Sequence, residues 1–173
     1  MENMKIYVMT DSHLGHEKLL SYGDRQKGYE LEIIKSIQQL PNNLDLCIHL
    51  GDVCIGNDEQ HHNDLLFVLR SKFRRNVLVR GNHDGKSDNW YYERGWDFVC
   101  DEFTAKFFGK RLLFRHIPIP ADIKGGLDFN IHGHLHGAGE NSHRAIADYD
   151  SSFHIDVAPE LRGYPPVNLE KLI

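Results

Sequence analysis

Three histidines stand one residue apart in "NIHGHLHG" (130–137), and donors of a similar kind are scattered upstream. Asp11 and His13 lie in "DSH", Asp52 in "GD", Asn82, His83 and Asp84 in "GNHD", and His116 directly after "RLLFR". Carboxylate, imidazole and one amide, with no thiolate, form a mixed oxygen/nitrogen set. Such a set suits Mn²⁺, Fe, Zn²⁺ or Ni²⁺ better than Ca²⁺ or an iron–sulfur cluster. It is too large for one ion but fits two if a carboxylate bridges them, an arrangement that clamps a phosphoryl group from both sides. By chance D-x-H and Gly-Asp should each occur about once in such a chain, G-H-x-H roughly 0.07 times and G-N-H-D about 0.006 times. The signal is therefore their joint occurrence in this order.

Each donor group follows a strand-like run. "KIYVMT" (5–10), "LDLCIHL" (44–50) and "NVLVR" (76–80) read as strands, separated by helical patterns in "YELEIIKSIQQL" (29–40) and "DEQHHNDLLFVLRSKF" (58–73). In the first helix the apolar stripe reads Leu31, Ile34, Ile37 and Leu40, with Pro41 ending it. Strand–helix alternation predicts a parallel sheet with crossover helices. In such sheets ligands bind beyond the carboxyl ends of the strands, so the donors can converge. The second half reads as antiparallel strands: "EFTAKFF" and "RLLFRH" around "GK", a tight hairpin with glycine first, then "LDFNIH" and "SFHIDV". The tail with its double proline is expected to lie over the surface before a short last element. Two packed sheets with helices outside result, in one domain over residues 1–173.

At 173 residues and 40% apolar content, one core can form. A formal charge of -5 argues against extended nucleic-acid or membrane binding, and the basic run Arg70 to Arg80 reads as a helix end with a solvated loop. Cys47, Cys54 and Cys100 have no metal or disulfide spacing. "MENMKIYVMT" shows no apolar core of a signal peptide, so a cytoplasmic location is expected.

D-x-H, G-D, G-N-H-D, a lone histidine and G-H-x-H, in that order, resemble the calcineurin-like metallophosphoesterases. The resemblance runs from Asp11 to His136. "DSHLGH", "HLGD" and the tail "HIDVAPELRGYPPVNLEKL" are similar to a small single-domain bacterial and phage branch. It implies an α/β fold, a four-layer α/β/β/α sandwich. It implies one metal held by Asp11, His13, Asp52 and His136 and a second by Asp52, Asn82, His116 and His134, with Mn²⁺ the first choice of ion. His83 would stabilise phosphoryl oxygens and protonate the leaving alkoxide as general acid, oriented by Asp84, while a metal-bridging hydroxide attacks phosphorus. The block "FRHIP" lacks the glycine that often precedes its histidine, so His116 has the least motif support.

The other polar residues read more plainly. His132 is expected to pack or support the ligands, His49 to be a satisfied core histidine, and His61 and His62 to be solvated. His16 and Arg25 are either substrate contacts or surface residues. Cys54 reads as packing, and Asp11 could also cap a short helical run. The expected function is hydrolysis of a small phosphodiester or phosphomonoester, nucleotides and cyclic nucleotides among the candidates, with the diester favoured. Against it stand a non-catalytic scaffold on the same fold and a nuclease or protein phosphatase. Intact ligand blocks disfavour the first, and acidic charge with little spare length disfavours the second.

Overall fold

Side-chain alternation along the first strand sets the layers. In β1 (Ile6–Met9), Ile6 and Val8 join a core with Ile48, Val79, Leu112, Phe114 and Ile131. Tyr7 and Met9 pack instead with Ile33, Ile37, Leu65 and Leu69. One face of this sheet thus meets a second sheet and the other meets helices, as period-two alternation requires. The computed structural model of the chain describes residues 4–22, 25–56, 58–136 and 148–173; Gly137, which closes the histidine-rich run, and His143 lie outside them.

The first sheet holds β1, β2 (Leu44–His49), β3 (Phe73–Val79) and β4 (Phe98–Cys100), all parallel, in the order β4-β3-β2-β1. Short α1 (Lys18–Tyr22), then α2 (Tyr29–Gln38), α3 (Asp58–Lys72) and α4 (Asp88–Arg94) connect these strands. α4 is closed by Ser87, which accepts from the Trp90 N–H, and by left-handed Gly95. The second sheet is β5 (Glu102–Phe107), β6 (Lys110–Arg115), β7 (Phe129–His132) and β8 (His154–Asp156).

Four expectations need correction. First, only β5 and β6 are antiparallel in the second sheet; β6, β7 and β8 run parallel. Alternation within a strand carries no direction. The long connections over 116–128 and 133–153 do, because parallel neighbours need crossovers of about a dozen residues. Second, the hairpin turns on Phe108 (φ 51°) and Gly109 (φ 80°), so glycine stands second, as in a type I′ turn. Third, the tail does not only cover the surface: β9 (Val167–Asn168) pairs antiparallel with β1 and extends the first sheet. Fourth, Ile37 of α2 is buried and Ile34 and Leu40 pack against the same core as expected, but Tyr29 and Ile33 are buried as well, while Leu31 is 55% exposed. Turning Tyr29 inward lets its hydroxyl donate to the His13 carbonyl.

Among the described residues, a small cluster covers the outer face of the second sheet. Leu113, Ile119 and Phe153 cluster there against Ala121, which opens a one-turn 3₁₀ helix. Among the described residues, no helix is long and apolar enough to cross a membrane.

His62, expected in solvent, is buried inside α3, where Trp96 Nε1–H donates to its Nδ1 at 3.0 Å. Trp90 and Tyr91 close around the ring. Burial pushes its pKa down to about 4. On acidification the unfolded chain takes this proton first, near pH 6.5, so stability falls between pH 6.5 and 4 as pH is lowered. The lost stability is about 3 kcal/mol. His62→Gln keeps an acceptor for Trp96 but does not titrate. Its urea-unfolding free energy should fall less steeply across that window, and pH profiles parallel to wild type would contradict the assignment.

Candidate metal centre

The donors come together where the two sheets meet. Beyond the ends of β1 and β2 the backbones stay paired: Asp11 N–H donates to Gly51 O at 2.9 Å, and His13 N–H to Asp52 O at 3.0 Å. The second sheet arrives through Gly133, whose N–H donates to His116 O at 3.1 Å. A Cβ on Gly133 would lie 2.3 Å from Asp11 Oδ2, and one on Gly81 would lie 2.2 Å from Asp52 Oδ1. Both motif glycines are thus required by close approach of chain to carboxylate.

Each carboxylate commits one oxygen to local hydrogen bonds and turns the other inward. Asp11 Oδ2 accepts from Thr10 Oγ1 (2.8 Å) and the His134 N–H (3.0 Å). Its Oδ1 lies 3.5 Å from His13 Nε2 and 3.6 Å from His136 Nε2. Asp52 Oδ1 accepts from the His83 N–H at 2.9 Å. Its Oδ2 faces His116 Nε2 at 3.4 Å, His13 Nε2 at 3.6 Å and His83 Nε2 at 3.9 Å. Asn82 Oδ1 is 3.1 Å from His116 Nε2, and the His134 ring is 5.1 Å from the His116 ring. Asp11, His13 and His136 form one group able to hold a metal ion; Asp11, Asp52 and His116 form a second. All seven expected ligands are gathered, and Asp52 faces donors of both sets.

The residues fit cations by their unmet needs. Asp11 Oδ1 and both ring nitrogens of His13 are buried with no hydrogen-bond partner among the described residues. Donors about 2.1 Å from a shared ion stand about 3.0–3.4 Å apart, close to the separations found. Asp11, His13, Asp52, His134 and His136 also have left-handed backbones, with φ from 46° to 67°. Non-glycine residues in that region are strained by roughly 1–3 kcal/mol each, and such strain collects at functional sites.

Charge follows the same geometry. Burial alone would raise the pKa of Asp11, but the imidazoles of His116, His13 and His136 hold it well below the usual range. Asp52 is lowered likewise, burial being outweighed by His116. Reciprocally, burial opposes protonation of His116, yet Asp11 and Asp52 push its pKa up to about 9.

His83 stands over this centre with its side chain 43% exposed. His16 lies beside it, ring centres 6.2 Å apart, in a groove of about 470 Å³ shared with Lys18 and Ile55. Two expectations fail here. No hydrogen bond joins Asp84 to the His83 ring among the described residues. Instead its carboxylate accepts from the N–H groups of Asp52 (2.7 Å), Gly81 (2.8 Å) and Val53 (3.2 Å), fixing the loop that carries Asp52. Arg25 is not a surface residue. Its buried guanidinium donates to the carbonyls of Asp11 and Ser12 and to Glu160.

The bland readings of other groups hold. His49 is buried, accepting from the Gly51 N–H at 3.1 Å and meeting Ser12 Oγ at 2.7 Å. His132 is buried, its Nδ1 2.9 Å from Gly133 O and its Nε2 3.4 Å from the Tyr149 hydroxyl. Burial pushes the Cys54 thiol up to about 12, as packing requires. Glu160 was missed: its Oε1 lies 3.0 Å from His136 Nδ1. The tail "HIDVAPELRG" that carries it was part of the family resemblance, but nothing local ties a lone glutamate to a histidine 24 residues away.

The family model described as calcineurin-like phosphoesterase matches residues 4–161. The chain belongs to this family. Among its relatives, the uncharacterized protein MJ1445 of Methanocaldococcus jannaschii is 28% identical, covering 100% of this chain and 92% of that protein. The crystal structure of AQ665, a protein of unknown function from Aquifex aeolicus, matches with TM-score 0.74 at 26% identity, over 99% of this chain and 100% of that one. A novel archaeal phosphodiesterase matches with TM-score 0.52 at 18% identity, covering 98% and 96% of the two chains, and so shares the fold.

Gly133→Ala tests the close approach. The added methyl must push the histidine-bearing loop away from Asp11, destabilising the protein by about 1–3 kcal/mol. Mn²⁺ should raise the melting temperature of the wild type and not that of the variant. An undiminished Mn²⁺-dependent rise would show that the seam tolerates the methyl.

Proposed function

We propose that the chain is a two-cation phosphoesterase acting on a small, nucleotide-like phosphodiester. The observation that carries this reading is the pair of inward carboxylate oxygens, Asp11 Oδ1 and Asp52 Oδ2, ringed by imidazole nitrogens at 3.4–3.6 Å and overlooked by the exposed His83. One cation would be held by Asp11, His13, Asp52 and His136, the other by Asp52, Asn82, His116 and His134. Mn²⁺ suits this oxygen/nitrogen set, with Fe, Zn²⁺ and Ni²⁺ as alternatives. Cations there would supply positive charge for the phosphoryl oxygens and lower the pKa of a water.

The chain's own part is placement and proton transfer. Asp84 and the paired loop backbones fix Asp52, and Asp52 in turn holds the His83 backbone. His83 thereby faces the space above the carboxylates, where its ring can hydrogen-bond a phosphoryl oxygen and give a proton to the leaving alkoxide. Asp84 supports His83 through this backbone route and not by touching the ring. Two grooves support the preference for a diester, which carries two arms. One is the groove of His16, Lys18, Ile55 and His83; the other, about 210 Å³, is lined by Arg80, Asn82, Arg115 and His116. Both reach Asp52, through His83 and His116 respectively.

The test is turnover in Mn²⁺ on bis-p-nitrophenyl phosphate, p-nitrophenyl phosphate, mononucleotides and cyclic nucleotides. The diesters should be preferred, and Asp52→Asn should lower kcat by about 10³-fold or more. His83→Ala should cost about 10²–10⁴-fold on a nucleotide ester and much less on a nitrophenyl ester, whose leaving group needs no proton. A preference for the monoester would remove the diester reading, and unchanged turnover in both variants would remove the site assignment.

A further inference from the structure

His136 is held from several sides. It lies on a left-handed backbone (φ 51°) and stacks on His13, ring centres 5.1 Å apart. One ring nitrogen, Nε2, faces Asp11 Oδ1 at 3.6 Å, and the other, Nδ1, meets Glu160 Oε1 at 3.0 Å. Glu160 sits in α5 (Pro159–Arg162), a single turn far along the chain from the histidine run. The same Oε1 accepts from Arg25 Nε at 2.9 Å. Arg25 in turn donates to the carbonyls of Asp11 and Ser12, on the loop that bears Asp11 and His13. The path from Asp11 through Arg25 and Glu160 to His136 therefore closes on itself at Asp11.

His116 provides the contrast. Its Nδ1 meets the neutral carbonyl of Leu50 at 2.6 Å. Glu160 is a carboxylate, and its second oxygen is buried with no hydrogen-bond partner among the described residues. A carboxylate on the far nitrogen of a ligating histidine fixes the tautomer and makes the ring a stronger donor, and losing such a partner lowers metal affinity about 10–100-fold.

From this we infer that Glu160, clamped by Arg25, is the positioning residue for His136, so that the C-terminal segment sets the affinity of one cation site and not of the other. The inference rests on the two-cation reading. Glu160 accepts the Nδ1 proton of His136 and leaves Nε2 free to face the cation held with Asp11, His13 and Asp52. A purely structural ion pair between Arg25 and Glu160 would stabilise the fold without favouring either site.

The experiment is a calorimetric titration of the metal-stripped full chain with Mn²⁺, beside a ¹⁵N imidazole spectrum of the Zn²⁺-loaded protein. Wild type should bind in two resolved steps. Glu160→Ala should weaken one step about 10–100-fold and leave the other within about twofold, while Glu160→Gln, whose amide oxygen accepts the same hydrogen bond, should recover most of the loss. The wild-type spectrum should place the His136 proton on Nδ1, a reading that does not depend on whether the alanine variant folds. Equal weakening of both steps, no change in either, or a His136 proton on Nε2 would each overturn the assignment of Glu160. A single step in wild type would instead sink the two-cation reading itself.

Discussion

Two carboxylates, Asp11 and Asp52, are buried within reach of the same imidazoles, and the rest of the structure answers to that fact. Removing a carboxylate from water costs several kcal/mol even after relaxation, and two close together also repel. Positive charge must therefore be brought to them, and on the two-cation reading the imidazole nitrogens around their inner oxygens mark where cations would bring it. The backbone bends to comply. Five left-handed residues at roughly 1–3 kcal/mol each approach the whole net stability of a domain, about 5–15 kcal/mol. Such strain persists only where the surroundings over-determine it. Here they do so through loop backbones that stay hydrogen-bonded past the strand ends and through an Asp84 carboxylate bound to three N–H groups.

The seam between the sheets is what makes the convergence possible. Strands β1, β2 and β3 run parallel, so their carboxyl ends deliver Asp11, Asp52 and the GNHD loop to one edge. The second sheet shares the inter-sheet core and presents its own strand ends there, bringing His116 after β6 and the histidine run after β7. With β6 and β7 antiparallel, His116 and Gly133 would emerge at opposite ends, and the bond from Gly133 N–H to His116 O could not form. The parallel pairing that the strand patterns did not reveal is thus a condition of the site.

What could be read from the sequence divides along physical lines. Ligand types and strand ends are local properties, so Asp11, His13, Asp52, Asn82, His116, His134 and His136 were legible by position and chemistry. Burial of polar groups is a property of the partner, which sequence separation hides. His62 looks solvated among polar neighbours, yet Trp96 supplies its bond from another element. Arg25 looks like a free cation near the site, yet its partners are two carbonyls and a carboxylate 135 residues away. Asp84 follows His83 in the chain, and adjacency suggested a contact; neighbouring side chains point apart, and the three N–H groups nearby claim its oxygens. In α2 the stripes of Leu31 and of Ile33 are equally apolar. Only the place where Tyr29 finds its acceptor decides between them.

A net charge of -5 is an odd property for a protein proposed to bind an anionic ester, and the distribution of charge resolves the difficulty. Within the basic run Arg74 pairs with Asp45, Arg75 with Asp97, and Arg80 with both Asp88 and Asp101. Exposed pairs of this kind are screened within about 8–10 Å at physiological salt, so they neither attract nor repel a ligand at range. Attraction must therefore be local, exerted inside the cleft where water is excluded and charges act strongly. Asp11 and Asp52 alone would repel an anion there. On the two-cation reading, cations at those inner oxygens would reverse the sign of the field, which would tie binding of an anionic ester to occupancy of these same buried carboxylates.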